Sequence, residues 1–238
     1  MGRDSAKVSP TFGGIKVPNF GFSAYLKLIS LSDRRQKTEI RRRLLPSKDG
    51  YDFHRSLRLR ANRYLVGGES LHSIAASVGE ISGEPERKSV LAGLKYLGQW
   101  REDNPGKIIS YSSAVFRSPS KAFSVAFTPD LGFKFGAVGT AIHLWNNKTP
   151  ELIPRFIYAA LSMFPERYST DDLPPDDLGL LSLRNGTLFR LSDASSHDVL
   201  GKLLAEQVDY LFEEVSKELG LPPAIPKDPP PASPPPGL

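Results

Sequence analysis

The spacing of apolar residues first changes near residue 106, and that change fixes the class of fold open to this chain. Before the change, apolar side chains recur three and four apart, the spacing of one helical face. Phe22, Tyr25, Leu26 and Ile29 form one such stripe. Phe53, Leu57, Ala61, Tyr64 and Leu65 form another, and Val90, Leu91, Leu94, Leu97 and Trp100 a third. From Lys107 onward the pattern turns to short runs of β-branched and aromatic residues, Ile108 to Phe116 and Ala122 to Phe127, which suit a pleated, half-buried surface. Phe133 to Phe135 and Val138 to Trp145 read as a strand pair, or as one strand bulged at Gly136. Leu178 to Leu183 and Leu188 to Leu191 flank Asn185-Gly186, a turn pair that favours a tight hairpin. Helical spacing returns in Pro150 to Phe164 and in a long final segment from about Ser195 to Leu219. There Val199, Leu203, Leu204, Val208, Leu211, Phe212 and Val215 make the seam.

The expected fold is therefore α+β. A helical N-terminal region precedes a mixed β-sheet with flanking helices, in the order helix, three strands, helix, two strands, helix. The divisions expected are an irregular arm over 1–20, a basic helical region over 21–106, an α+β region over 107–220 and a proline-rich tail over 221–238. Nine of the last eighteen residues are proline. Such a segment cannot pack regularly and is expected to be extended, with an aromatic groove on a protein partner as its one specific use. Ser32 or Asp33 is placed to cap the second helix and Asp52 the third, with Pro46 stopping the former.

Charge is distributed unevenly. Residues 1–110 hold 20 Lys and Arg against 11 Asp and Glu, whereas residues 111–238 hold 11 against 15. The excess peaks between Arg34 and Arg63, where eleven basic residues meet three acidic ones. Arg34, Lys37 and Arg41 share one helical face, and so do Arg35 and Arg42. With Arg43, Arg55, Arg58 and Arg63, these side chains make a field suited to phosphates or to an acidic protein surface. Arginine outnumbers lysine there, which favours two-pronged phosphate contacts. The alternative is a solvated helix face, with Glu39 paired four residues away to Arg35 and Arg43. The chain lacks cysteine, so disulfides, thiolate metal sites and cysteine nucleophiles are excluded. No apolar run approaches the length of a membrane span, and the expected location is cytoplasmic.

Two segments invite comparison with known families. Ser73-Ile74-Ala75-Ala76-Ser77-Val78-Gly79 resembles the first helix and turn of a helix-turn-helix. The family would then place a basic recognition helix within three or four residues, but Glu80 to Pro85 is longer and the next segment opens with Glu84 and Glu86. The order helix, three strands, helix, strand across residues 85–184 resembles the core of the PD-(D/E)xK nuclease superfamily. That resemblance implies Mg²⁺ held by an aspartate near the second strand and by an acid-x-Lys on the next, the lysine assisting an attacking water. Pro129-Asp130 matches the first half. The next strand runs Ala141-Ile142-His143-Leu144-Trp145-Asn146-Asn147-Lys148 and has Asn146 where the acid belongs.

His54, His72, His143 and His197 lack paired-ligand spacing, and His143 reads as a hydrogen-bonded residue of an apolar strand. The acidic group Asp171, Asp172, Asp176 and Asp177 lies among prolines and reads as a solvated loop. No phosphate loop, dinucleotide fingerprint or nucleophile-elbow signature is present. The function expected is non-catalytic, with Arg-rich helices contacting nucleic acid or an acidic partner and no cofactor required. A divergent or inactive metal nuclease using Asp130, which alone would need Mg²⁺, and a protein–protein module are the alternatives.

Overall fold

The computed structural model describes residues 17–45, 53–169 and 171–221. Most of the expected arm, Pro46, Lys48, Asp52 and nearly all of the proline-rich tail lie outside the described residues.

Helices and mixed sheets together make the fold α+β, as the change in spacing implies. A short strand, β1 (Asn19–Gly21), leads directly into α1 (Phe22–Ile29), followed by α2 (Asp33–Leu44), α3 (Arg55–Leu65), α4 (Leu71–Ala76) and α5 (Glu84–Asp103). Ser32 stands at the N-cap of α2, and Pro85 occupies the first turn of α5, where its missing N–H costs nothing. The second half contributes β2 (Ile108–Ile109), β3 (Ala114–Arg117), β4 (Ser124–Phe127), β5 (Leu131–Phe135) and β6 (Val138–Trp145). It continues with α6 (Pro154–Leu161), β7 (Asp177–Ser182), β8 (Leu188–Arg190) and α7 (Asp198–Glu218).

The strands form two sheets rather than one. The larger runs in the order β2-β5-β6-β7-β8, antiparallel except for the β6–β7 pair. The smaller runs β1-β4-β3, with β1 parallel to β4. The run Ile108 to Phe116 therefore breaks, its ends feeding different sheets, because the polar segment Ser110 to Ser113 carries the chain from one to the other. Tyr111 lies across the β5–β6 pair, where a Cβ on Gly132 or Gly139 would collide with its ring or hydroxyl. Phe133 to Trp145 is a hairpin rather than a bulged strand, turning at Gly136, whose φ is +62°. The helix, three strands, helix, strand order is present as α5, β2, β5, β6, α6 and β7, with β3 and β4 diverted between β2 and β5.

Both faces of the large sheet are covered. Ala141 and Trp145 of β6 and Leu178 and Leu180 of β7 face a core built with α1, α6, α7 and the small sheet. Ile142, Leu144 and Leu181 face the opposite core, with α3, α4 and α5. This two-sided burial explains the unbroken apolar run of β6. It also divides residues 21–106 between layers, since α1 and Ile40 of α2 join the first core while α3 to α5 join the second. Along α7, Leu204, Val208, Leu211, Phe212 and Val215 are buried as expected, whereas Val199 and Leu203 are exposed. The segment Ser73 to Gly79 is α4 with a following 3₁₀ turn. The helix after it, α5, packs under α3 and α4, with Leu97 and Trp100 in the core.

Candidate functional site

The nine basic residues singled out from the sequence do not form one platform. Lys37 is paired with Glu214 and Arg41 with Glu218, both across to α7. Arg42 bonds Glu39 at 2.9 Å, and Arg63 grips both carboxylate oxygens of Glu69 at 2.6–2.7 Å. That fork raises the Arg63 pKa and lowers that of Glu69. Arg60 is buried, bonded to the Ser77 carbonyl at 2.6 Å and the Ser77 hydroxyl at 3.1 Å, which makes it a structural link between α3 and the turn after α4. Arg34, Arg35 and Arg55 are exposed and form no ion pair with another described residue.

Arg43 and Arg58 converge on a different feature. A cavity of about 420 Å³ lies where α1, α2 and the start of α3 meet beyond the C-terminal end of β6. Among the described residues, its charged lining is Lys27, Arg43 and Arg58 against Glu39, with His54, Asn147 and Phe53 beside them. The Arg43 guanidinium stacks 4.2 Å from the Phe20 ring centroid. Desolvation lowers its pKa, against a smaller opposing pull from Glu39; an arginine held over an aromatic face stays charged. His54 is bonded to the Asn147 amide oxygen at 2.6 Å, tying α3 to the end of β6.

Ser23 also lines this cavity, in the first turn of α1. Its hydroxyl lies 2.7 Å from Nε2 of His143. On the other side of the ring, Nδ1 lies 3.1 Å from the Thr128 carbonyl and 3.2 Å from Oδ2 of Asp130. The carbonyl and the carboxylate both accept, so Nδ1 carries the proton in the neutral ring, whose Nε2 then presents its lone pair to Ser23. Asp130 is fixed in turn by the Leu144 N–H, which donates to Oδ2 at 2.7 Å. His143 is buried, its ring 5.4 Å from that of Phe22 and 6.1 Å from that of Phe127.

The local sequence accounts for this placement. Parallel pairing with β4 delivers the chain through Gly21 into α1. Gly21, the N-cap, offers no side-chain acceptor, and helical bonding leaves the first-turn amides of Phe22, Ser23 and Ala24 without helical acceptors. Asp130 heads β5, and the β5–β6 register sets Leu131 opposite Ile142, one residue from His143. Sequence reading missed Ser23, Lys27 and Asn147. The one available signal was Gly21-Phe22-Ser23 at a strand-to-helix junction, obscured because Tyr25 stands where a nucleophile elbow carries a small residue.

The nuclease pattern departs further. Asp130 meets His143 and the Leu144 amide rather than the Asn146-x-Lys148 segment. Asn146 is buried against α5, its amide nitrogen donating to the Ser89 carbonyl and hydroxyl. Among the described residues, no three His, Asp or Glu side chains gather to hold a metal ion. The acidic loop is also engaged: Asp176 accepts the Gly139 N–H at 2.7 Å, and Asp177 accepts the Ser192 hydroxyl at 2.6 Å. No helix among the described residues is long and apolar enough to cross a membrane.

No family model matches the chain, and no curated protein matches it. A solved structure described as "Crystal structure of SSO0001" is similar at 11% identity, covering 77% of this chain and 84% of its own, with a TM-score of 0.31. A likeness at that level carries no argument about fold or function.

Proposed function

We propose that the protein binds nucleic acid as a single strand, seating a phosphate-bearing unit in the cavity lined by Lys27, Arg43 and Arg58. The observation that carries this reading is the convergence of three cations from α1, α2 and α3 on one concavity, where Glu39 is the acidic side chain among the described lining residues. Ion pairing to α7 and to Glu69 leaves Lys37, Arg41 and Arg63 less available to an outside anion. The cavity lies in the size range of small-ligand sites and suits a single unit rather than a duplex groove. Phe53 at the rim offers an aromatic face to a base.

Fluorescence anisotropy with labelled single-stranded oligonucleotides tests it. Single-strand affinity falls by about 0.7 in log K per log unit of salt for each phosphate neutralised. Two or three contacts then give a slope of about −1.4 to −2. Lys27→Ala and Arg58→Ala each weaken binding and flatten the slope by about one contact. Affinity that ignores both substitutions and is unchanged between low and moderate salt overturns the proposal. Salt-dependent capture by an acidic protein surface in place of oligonucleotide would move the same cavity to the other expected class of partner.

A further inference from the structure

Charge on the cavity wall accounts for binding but not for the side chains at its floor. We infer that Ser23, His143 and Asp130 form a hydrolytic centre, in which Ser23 is the nucleophile, His143 the general base and Asp130 the residue that positions the base. The substrate class is a carboxylic ester bearing an anionic group. That the substrate is anionic rests on the binding reading above; the reaction itself does not.

Three observations meet at one point. The first is the distance of 2.7 Å between the Ser23 hydroxyl and Nε2 of His143, within reach for proton transfer. The second is the tautomer. Nδ1 faces only acceptors, the Thr128 carbonyl and Asp130, so Nε2 is the basic nitrogen. This division of roles is what Ser-His-Asp hydrolysis requires, and the chain order serine, aspartate, histidine is one of several that achieve it. The third is accessibility. Ser23, Gly21 and Ala24 line the cavity while His143 is buried behind them among Phe22 and Phe127. A serine and histidine bonded only to tie the core together would need no opening onto a cavity flanked by Lys27.

The chemistry balances without a cofactor. The Ser23 Oγ attacks the ester carbonyl carbon as His143 Nε2 takes the hydroxyl proton. Negative charge develops on the carbonyl oxygen beside the first-turn amides of α1, which have no helical acceptors and sit at the positive end of the helix. Collapse breaks the C–O bond to the alcohol, which leaves with the proton from His143, and the acyl group remains on Ser23. Water then attacks the acyl carbon while His143 takes its proton. The second collapse releases the carboxylic acid, returns the proton to Ser23 Oγ and restores both side chains.

Full-length protein treated with a fluorophosphonate, then digested and analysed by mass spectrometry, is expected to carry one adduct on Ser23. Ser23→Ala carries none, and heat-denatured wild type carries none. Hydrolysis of p-nitrophenyl butyrate falls at least about 10³-fold in Ser23→Ala and in His143→Gln. Circular dichroism confirms that each variant is folded, and Ser23→Thr serves as the probe variant should alanine fail to fold. Asp130→Asn lowers kcat with KM unchanged, a split that a purely structural role would not produce. Folded wild type that takes no adduct and hydrolyses no ester overturns the centre. If the adduct forms but wild type prefers mono-p-nitrophenyl succinate no more than the butyrate ester, and Lys27→Ala leaves that ratio unchanged, the centre stands and only the anionic-substrate reading is lost.

Discussion

Tyr25 is fully buried, stacked on Phe123 with ring centroids 6.0 Å apart, and its hydroxyl has no hydrogen-bond partner among the described residues. Burial pushes the phenol well above its ordinary pKa. Desolvation does the same to Tyr168, with a smaller push from Asp171. In the unfolded chain a tyrosine titrates near pH 10. Above that pH the native state therefore binds more protons than the unfolded one, and stability declines as pH rises, the contribution being fully present below pH 10. Tyr25→Phe removes the unmet hydroxyl and keeps the ring. It is expected to stabilise the protein by about 1 kcal/mol and to reduce the alkaline loss, read from urea midpoints at pH 8 and pH 10.5. A lower midpoint at pH 8 would mean that the hydroxyl finds a partner after all. Nothing in the sequence distinguishes Tyr25 from the Phe22 and Leu26 of the same stripe. Beyond the obscured Gly21-Phe22-Ser23 junction, Ser23 gives no sign of its role, because its partners lie 107 and 120 positions further along the chain and only β1–β4 pairing and the β5–β6 register bring the three together.

Elements that speak through their own neighbours were legible. The Asn185-Gly186 turn predicts the β7–β8 hairpin, and Gly186 takes the positive φ of +74° that such a turn requires. The α5 stripe predicts Val90, Leu91, Leu94, Leu97 and Trp100 as core; all are buried except Leu91, which is exposed. β1 was not legible, since three residues carry no periodicity and pair only with a strand a hundred positions away. Nor was the close crossing of α6 and α7. A Cβ on Gly201 of α7 would lie 2.6 Å from the Ala159 carbonyl oxygen and 2.8 Å from the Ser162 hydroxyl. Alanine gains about 1 kcal/mol over glycine in a helix interior, but here the obstacle is backbone in a helix whose Ala159, Ala160 and Leu161 are fully buried. Gly201→Ala is therefore expected to destabilise by about 1–3 kcal/mol. Gly79→Ala, which meets nothing within 4 Å, serves as the neutral comparison in the same urea titration. A Gly201→Ala midpoint at or above wild type would show that the two helices separate at little cost.

At the scale of the whole molecule, the basic and acidic halves of the sequence are partners as well as neighbours. α2 buries only Gln36 and Ile40. It lies along α7 through Ile40 and the two ion pairs Lys37–Glu214 and Arg41–Glu218, and a Gln36 bond to the Leu28 carbonyl at 3.2 Å ties it to α1. The pairs recur at four-residue spacing on both helices, so a surface that reads as a nucleic-acid face in sequence is partly neutralised from 177 positions away. This has a consequence opposite to that of the cavity variants. Glu214→Gln with Glu218→Gln removes two carboxylates, leaves the helix seam of Val208, Leu211, Phe212 and Val215 intact, and frees Lys37 and Arg41. If nucleic acid binds near α2, the double variant should bind single-stranded oligonucleotide more tightly and with a steeper salt slope, by about 0.7 for each cation released into the interface. An unchanged slope, measured beside the weakened binding of Lys27→Ala, would confine the contact to the cavity. Loss of folding would instead mean that charge pairing is what holds α2 in place, and Lys37→Met with Glu214→Leu, which replaces one pair by apolar contact, would then restore the fold without restoring the cations.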